Sequence, residues 1–232
     1  TTEVTMAHYA AFLAEKKDDL SGQREICKDN TSFEPPGDSD TAIIRCPNDY
    51  FLPDARPDWP MGCVDFCDAD AYCKWAGKRL CGRIGGGTLT TEESIDPKAS
   101  EWVNACTQGG KTKLPYGNTF EDGRCIDATR MPKGAGLEGL AVLADPQKNA
   151  PECRGTEPPF DKVYSMSVGL VEWDDSVVGD TPDNATAGLR GGNYGGSSKQ
   201  LFPPACAEPD GTQARTLFRF VSTSLGFRCC GD

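Results

Sequence analysis

The chain repeats apolar residues at helical spacing in three segments, and the first of these follows Thr5. Thr5 is a residue type that caps helix N-termini, and Lys16 and Lys17 suit the negative end of a helix dipole. The positions that share one apolar face are Met6, Tyr9, Ala10 and Leu13. We therefore predict a first helix that begins just after Thr5.

The second segment, residues 63–82, joins the clearest helix pattern to four of the twelve cysteines. Asp65 is a good N-cap, and the carboxylate of Asp68 can accept hydrogen bonds from the free N–H groups of the first turn. The buried stripe predicted from the i, i+4, i+8 spacing is Cys67, Ala71 and Trp75. Gly77 is a typical stop signal, so this helix should begin near Phe66 and end before Gly77.

A third, shorter helix is predicted over residues 99–106, where Trp102 and Cys106 lie one turn apart. Downstream segments instead show the residue types of short strands. These predicted strands are 168–173, 188–194, 217–222 and 225–230, with two weaker ones at 41–45 and 137–143. The four C-terminal strands should form an antiparallel sheet that closes the fold.

The run AYCKWAGKRL, residues 71–80, resembles the signature of the formylglycine-generating enzyme (sulfatase-modifying factor) family. Six further blocks occur in the order that the family has. They are Glu3-Val4-Thr5, Ser100-Glu101-Trp102 followed by Gly109-Gly110, Tyr116-Gly117-Asn118, Val171-Glu172-Trp173, Leu189-Arg190-Gly191-Gly192-Asn193-Tyr194 and Gly226-Phe227-Arg228-Cys229. The resemblance implies one domain over residues 1–232 with a C-type-lectin-like α+β fold: two main helices, a small antiparallel sheet and much irregular loop.

Charge and hydropathy narrow the classes of partner. A net charge of -11 and a pI near 4.6 disfavour nucleic acid and anionic membranes, which require clustered Lys and Arg. A mean hydropathy of -0.49, without a long apolar run, excludes a membrane span. Cationic partners or a divalent metal suit this charge better, and the partner class stays open among a protein, a glycan, a peptide and further copies of the chain.

Twelve cysteines, an even number, are typical of a disulfide-bonded protein in an oxidising compartment. We expect a secreted, periplasmic or cell-surface protein, and a processed or truncated end at Thr1. Residues 21–60 form a loop-rich excursion in which Cys27 and Cys46 are the expected pair. The cysteines expected in disulfides are Cys27, Cys46, Cys63, Cys67, Cys73, Cys81, Cys106, Cys125, Cys153, Cys206, Cys229 and Cys230.

The family resemblance also implies a copper site, and the chain departs from it. In the family, two cysteines shortly after the Arg-Gly-Gly block hold the copper, and those positions fall on Gly196 and Leu201 here. Neither side chain carries the sulfur that cuprous copper prefers, so we expect no copper site. An alternative is a shifted loop that pairs Cys206 with Cys229 or Cys230 as thiolate ligands of a copper-dependent oxidoreductase.

The sequence lacks ligands for iron, whereas it has oxygen-bearing residues at the positions where the family binds calcium. The chain has one histidine, His8, which excludes the histidine cluster that holds iron in the related sulfoxide synthases. The resemblance implies a calcium ion held by one side chain, two backbone carbonyls and a Glu before the Trp. The matching positions are Ser165, Val168, Leu170 and Glu172. The alternative is that Glu172 is a buried polar residue with backbone partners.

We therefore interpret the chain as a non-catalytic binding module on this scaffold, secreted or displayed at a surface. The candidate ligand contacts are Asn193, Tyr194, Lys199, Phe202, Arg215 and Arg219. Two alternatives stay open at this point: the copper-dependent oxidoreductase described above and a structural subunit of an extracellular assembly.

Overall fold

The computed structural model describes residues 2–37, 44–127, 130–131, 136–193, 206 and 214–231. Its α-helices are α1 (Met6–Lys16), α2 (Phe66–Trp75), α3 (Glu101–Cys106) and the one-turn α4 (Pro146–Asn149). The first three lie where the apolar periodicity predicts helices.

Local capping explains where these helices begin. The backbone N–H of Asp68 donates to Oδ1 of Asp65 at 3.0 Å, and the N–H of Asp65 donates to Oδ2 of Asp68 at 3.2 Å. This reciprocal capping box satisfies two donors that the first turn of α2 would otherwise leave free. Thr5 and Ser100 cap α1 and α3 through their hydroxyls. The predicted N-caps of α1 and α2 are thus confirmed.

Most of the strands contain only two or three residues. In chain order they are β1 (Ile44–Arg45), β2 (Arg79–Leu80), β3 (Val168–Gly169), β4 (Val171–Val178), β5 (Thr186–Arg190), β6 (Gly192–Asn193), β7 (Arg215–Leu217), β8 (Val221–Ser222), β9 (Leu225–Phe227) and β10 (Cys229–Cys230). The largest sheet has four strands in the order β7-β5-β4-β9. Three two-stranded sheets, β1-β8, β10-β2 and β3-β6, flank it.

Two predictions about strands are wrong. The four-stranded sheet is mixed, because β9 runs parallel to β4 while the other neighbours are antiparallel. Residues 137–143, predicted as a strand, belong to a 3₁₀ helix at Gly136–Ala144. The apolar run there buries Leu140 and Leu143, and a short apolar run has no period that separates helix from strand.

The main core lies between α1, α2 and the sheet. Tyr9 of α1 stacks on Tyr72 of α2 with ring centroids 5.7 Å apart, and both rings meet Phe227 of β9 edge-on. A second cluster packs Trp102 and Cys106 of α3 against Cys81, Met166 and Cys206. The helices α1 and α2 therefore share one aromatic group with the sheet, and α3 belongs to a separate cluster.

Six disulfides use all twelve cysteines, as predicted. The pairs are Cys27–Cys67, Cys46–Cys63, Cys73–Cys229, Cys81–Cys230, Cys106–Cys206 and Cys125–Cys153. The predicted pair Cys27–Cys46 is wrong. Each of these two cysteines instead joins the excursion to the segment that contains α2, with Cα–Cα distances of 5.6 and 5.8 Å. The excursion is therefore fastened to the core and not closed on itself.

Candidate functional site

Cys206, the sequence candidate for a copper thiolate, lies against α3. Its sulfur is bonded to Cys106 at the end of that helix, with a Cα–Cα distance of 5.4 Å. The remaining C-terminal cysteines are bonded elsewhere, Cys229 to Cys73 and Cys230 to Cys81. The alternative pairing of Cys206 with Cys229 or Cys230 is therefore wrong, because Cys106 is the buried neighbour within bonding distance. The positions Gly196 and Leu201 lie outside the described residues.

The carboxylate of Glu172 is buried near the start of β4 and accepts hydrogen bonds from two side chains. Arg228, between β9 and β10, donates from Nε and Nη2 to the two carboxylate oxygens at 2.6 Å each. The indole Nε1 of Trp102 donates to the same carboxylate at 2.9 Å. The carbonyls of Tyr164 and Ser165 accept from Nη2 of Arg228 at 3.2 and 3.4 Å. This bidentate pair gives the buried Glu172 a full counter-charge.

Glu3 is a second buried carboxylate, and its charge interacts with that of Arg228. The residue is 5% exposed, and its Oε1 is buried without a hydrogen-bond partner. Burial raises the pKa of Glu3 to about 7, the positive charge of Arg228 opposes that rise, and the charge of Glu172 adds to it. A proton on Glu3 leaves one carboxylate and one guanidinium, which is a neutral buried cluster and hence the less costly state.

Arg190 forms a second buried ion pair at the same end of the sheet. Its guanidinium donates to the carboxylate of Asp174 and to the carbonyl of Ser94. Gly191 follows with φ +73, a left-handed conformation that glycine adopts without strain, and a side chain there would also crowd Met166. This turn directs the chain from β5 into β6, which pairs with β3.

A family model described as "Sulfatase-modifying factor enzyme 1-like domain" matches residues 1–232. The chain belongs to this family. Sequence similarity extends to the formylglycine-generating enzymes of Bos taurus and Mus musculus, each 26% identical. The alignments span 199 and 198 residues, 76% of this chain in both cases. The chain spans only 45% of the length of these two relatives.

Two solved structures share the sulfatase-modifying factor fold seen here. PvdO from Pseudomonas aeruginosa matches with a TM-score of 0.52 and 19% identity over 98% of this chain and 77% of its own. CarF matches with a TM-score of 0.53 and 15% identity over 98% of this chain and 83% of its own. At these identities the likeness concerns the fold, which confirms the predicted α+β architecture.

Arg215 and Arg219 are the two predicted ligand contacts whose side chains the structure describes. Tyr194, Lys199 and Phe202 lie outside the described residues, and Asn193 ends β6 without a described side chain. Arg215 is half-buried on β7, where its guanidinium donates to the backbone of β4 and to Thr186 of β5. That guanidinium is engaged in joining strands. Arg219, in contrast, is exposed and forms an ion pair with Asp29 at 3.7 Å.

The oxygens that the resemblance implies as calcium ligands differ in whether they already accept hydrogen bonds from other residues. Val168 in β3 and Leu170 just after it have backbone carbonyl oxygens, and Oε1 of Glu3 is a further buried oxygen beside Gly169. These donor types suit a hard cation. Glu172, however, already shares its carboxylate between Arg228 and Trp102, so calcium would compete with the guanidinium. Calcium at Ser165, Val168, Leu170 and Glu172 stays a prediction.

Sequence reasoning found Glu172 but missed its partner. The alternative expected backbone N–H partners, whereas the structure supplies Arg228, 56 residues further along the chain, and Trp102, 70 residues before it. Both partners occur in the family blocks quoted above. Their presence in the ordered family blocks was the available signal, although adjacency between the blocks is not visible in one sequence.

Proposed function

We propose that this chain is a non-catalytic binding module on the sulfatase-modifying factor scaffold, secreted, periplasmic or displayed at the cell surface. The observation that carries the proposal is the disulfide between Cys106 and Cys206. It consumes the last cysteine available near the family's copper positions, which here are Gly196 and Leu201. Cuprous copper requires soft sulfur ligands, and disulfide sulfur is not a thiolate.

The disulfides also support the proposed location in an oxidising compartment. Six disulfides in 232 residues persist in oxidising surroundings and are rare in reduced cytosol. No helix in the described part of the chain is long and apolar enough to cross a membrane.

A structural calcium ion near Glu172 is part of the proposal, and copper is not. Among the described residues, no three His, Cys, Asp or Glu side chains group closely enough to hold a metal ion. A calcium site here would therefore depend on backbone carbonyls together with one or two carboxylates, which is a weaker set than an all-carboxylate site.

The direct test is oxidation of a cysteine-containing, sulfatase-type peptide. The protein is incubated with copper and the peptide under air, and the products are followed by mass spectrometry. We expect the peptide thiol to remain without aldehyde formation, and thiol titration of the unreduced, denatured protein to find no free cysteine. Aldehyde production that disappears in Cys206→Ser would overturn the proposal and assign an oxidase function.

A further inference from the structure

A cavity of about 490 Å³ opens at the end of the four-stranded sheet that lies away from Asn193. One wall comes from residues 29–36 of the excursion, and the other from the N-terminus of α2 with residues 218–221. Pro182, in the turn between β4 and β5, lies at its edge, whereas Asn193 follows the opposite end of β5. The volume falls in the range of small-molecule binding sites.

Covalent and packing contacts fix both walls of this cavity. The disulfide Cys27–Cys67 joins the excursion to α2 directly beneath it. Phe218 stacks on Phe66 with ring centroids 4.3 Å apart, and its carbonyl accepts from the N–H of Phe66 at 3.1 Å. Pro35 contributes apolar surface on the facing wall. A preformed cavity of this kind loses little conformational entropy when a ligand enters.

The polar part of the lining is acidic, with four carboxyl groups and one base, and the lining residues concerned are Asp29, Glu34, Asp65, Asp68 and Arg219. Asp65 and Asp68 line the cavity and accept hydrogen bonds from backbone N–H groups, and Asn30 donates to Asp68 at 2.9 Å. Within the described residues, neither carboxylate has a Lys or Arg nitrogen within 4.0 Å. Arg219 stands at the mouth, where it pairs with Asp29. The carboxylates of Asp65 and Asp68 therefore have neutral donors only.

The pKa values of the two groups agree with this geometry. Burial raises the pKa of Asp65 to about 6, against the opposing N–H groups of Asp68 and Cys67 and the charge of Arg219. Burial and the neighbouring Asp65 raise the pKa of Asp68 well above its ordinary value. A positive charge placed in the cavity relieves this cost, because an opposite charge favours the ionised form.

We propose that the cavity binds a small organic cation, an ammonium or guanidinium group carried on an apolar body. Asp65 is the counter-ion, and the apolar surface of Phe218 and Pro35 covers the body of the ligand. An anion is repelled by the same carboxylates. The inference rests on the proposed binding function and supplies the ligand class for it, at a surface different from the one predicted around residues 193–202.

The test compares benzylamine with benzyl alcohol, its uncharged isostere, by NMR titration of the full chain at pH 7.5 and low salt. A fragment of this size in a suitable site binds with a Kd of about 1 mM. We expect benzylamine to bind at least about tenfold more tightly than the alcohol, with shifted amide signals at residues 30–34 and 65–68. Equal affinity of the two probes, or shifts confined to other residues, overturns the proposal.

Asp65→Asn is the decisive variant, because asparagine is also a good N-cap and the start of α2 is retained. We expect this variant to bind benzylamine about tenfold more weakly and benzyl alcohol unchanged. The matched control is Glu121→Gln, an exposed carboxylate on a different surface that pairs with Arg124. Unchanged benzylamine affinity in Asp65→Asn contradicts the proposal. The copper assay tests the proposed non-catalytic function separately from cation binding. Either proposal can therefore fail while the other holds.

Discussion

The carboxylates at the two ends of the four-stranded sheet have different kinds of partner. At the end near β3 and β6, Glu172 and Asp174 lie fully buried and are each paired with an arginine. At the other end, Asp65 and Asp68 are held by N–H groups and an amide, beside an open cavity. The first arrangement is closed and serves the fold, whereas the second leaves negative charge available to a ligand. Acidity alone therefore does not distinguish a structural from a binding site; the partner of each carboxylate does.

The largest effect on stability should come from breaking a buried ion pair at the closed end of the sheet, near β3 and β6. Arg228→Gln leaves Glu172 buried without its counter-ion, and we expect a loss of about 3–5 kcal/mol in the free energy of unfolding. Urea unfolding with the disulfides intact measures it. The control is Lys111→Gln, whose partner Glu157 is 64% exposed, and it should cost less than about 1 kcal/mol. A comparable small loss in both variants would show that the buried pair does not stabilise the fold.

Two disulfides, Cys27–Cys67 and Cys46–Cys63, fasten the excursion that forms one wall of the cavity. Replacing both Cys27 and Cys67 by alanine opens a link across 40 residues, for which chain entropy gives about 4 kcal/mol. Replacing Cys46 and Cys63, 17 residues apart, should cost about 3 kcal/mol. Thermal and urea unfolding rank the two double variants. The reverse order would indicate that strain or residual structure, and not loop length, sets their contributions.

The pH dependence of stability should distinguish Glu3 at the closed end. The pKa of Glu3 is about 7 in the folded protein and 4.5 in the unfolded chain. Unfolding therefore releases a proton when the pH lies between these two pKa values. Stability is therefore highest at low pH within this window and falls as pH rises through about 7. Glu3→Gln should flatten the decline between about pH 4.5 and 7, while Asp65→Asn should flatten only the part below about pH 6, where the pKa of Asp65 lies. An unchanged slope in Glu3→Gln would exclude Glu3 as the titrating group.

The smallest effect concerns calcium at the closed end. At ten times its Kd, a bound ion stabilises the protein by about 1.4 kcal/mol, which a calcium titration of the Tm detects. Ser165 has φ 57, which asparagine tolerates, so Ser165→Asn replaces the hydroxyl oxygen by an amide carbonyl oxygen without backbone strain. Amide carbonyls are common calcium ligands, so the shift should become larger. Magnesium is the control ion and should have little effect. No Tm change with calcium in either protein would end the calcium prediction.

Much of the local structure follows directly from the sequence. Thr5 and Asp65 mark the starts of α1 and α2 in the sequence, because a cap needs only residues within one turn. The seven ordered blocks identify the family, and the even cysteine count predicts complete oxidation. In each case the signal and the structure lie in the same short segment or in the composition as a whole.

Only the tertiary structure determined which cysteines, strands and charged residues pair with one another. It joined Cys27 to Cys67 and Cys106 to Cys206, set β9 parallel to β4, and placed Arg228 on Glu172. These partners are separated by 40 to 100 residues for the two disulfides, and by 56 for the ion pair. The residue type determines that a cysteine or a buried carboxylate needs a partner. Which partner it finds depends on how helices and strands pack, and that is a property of the whole chain.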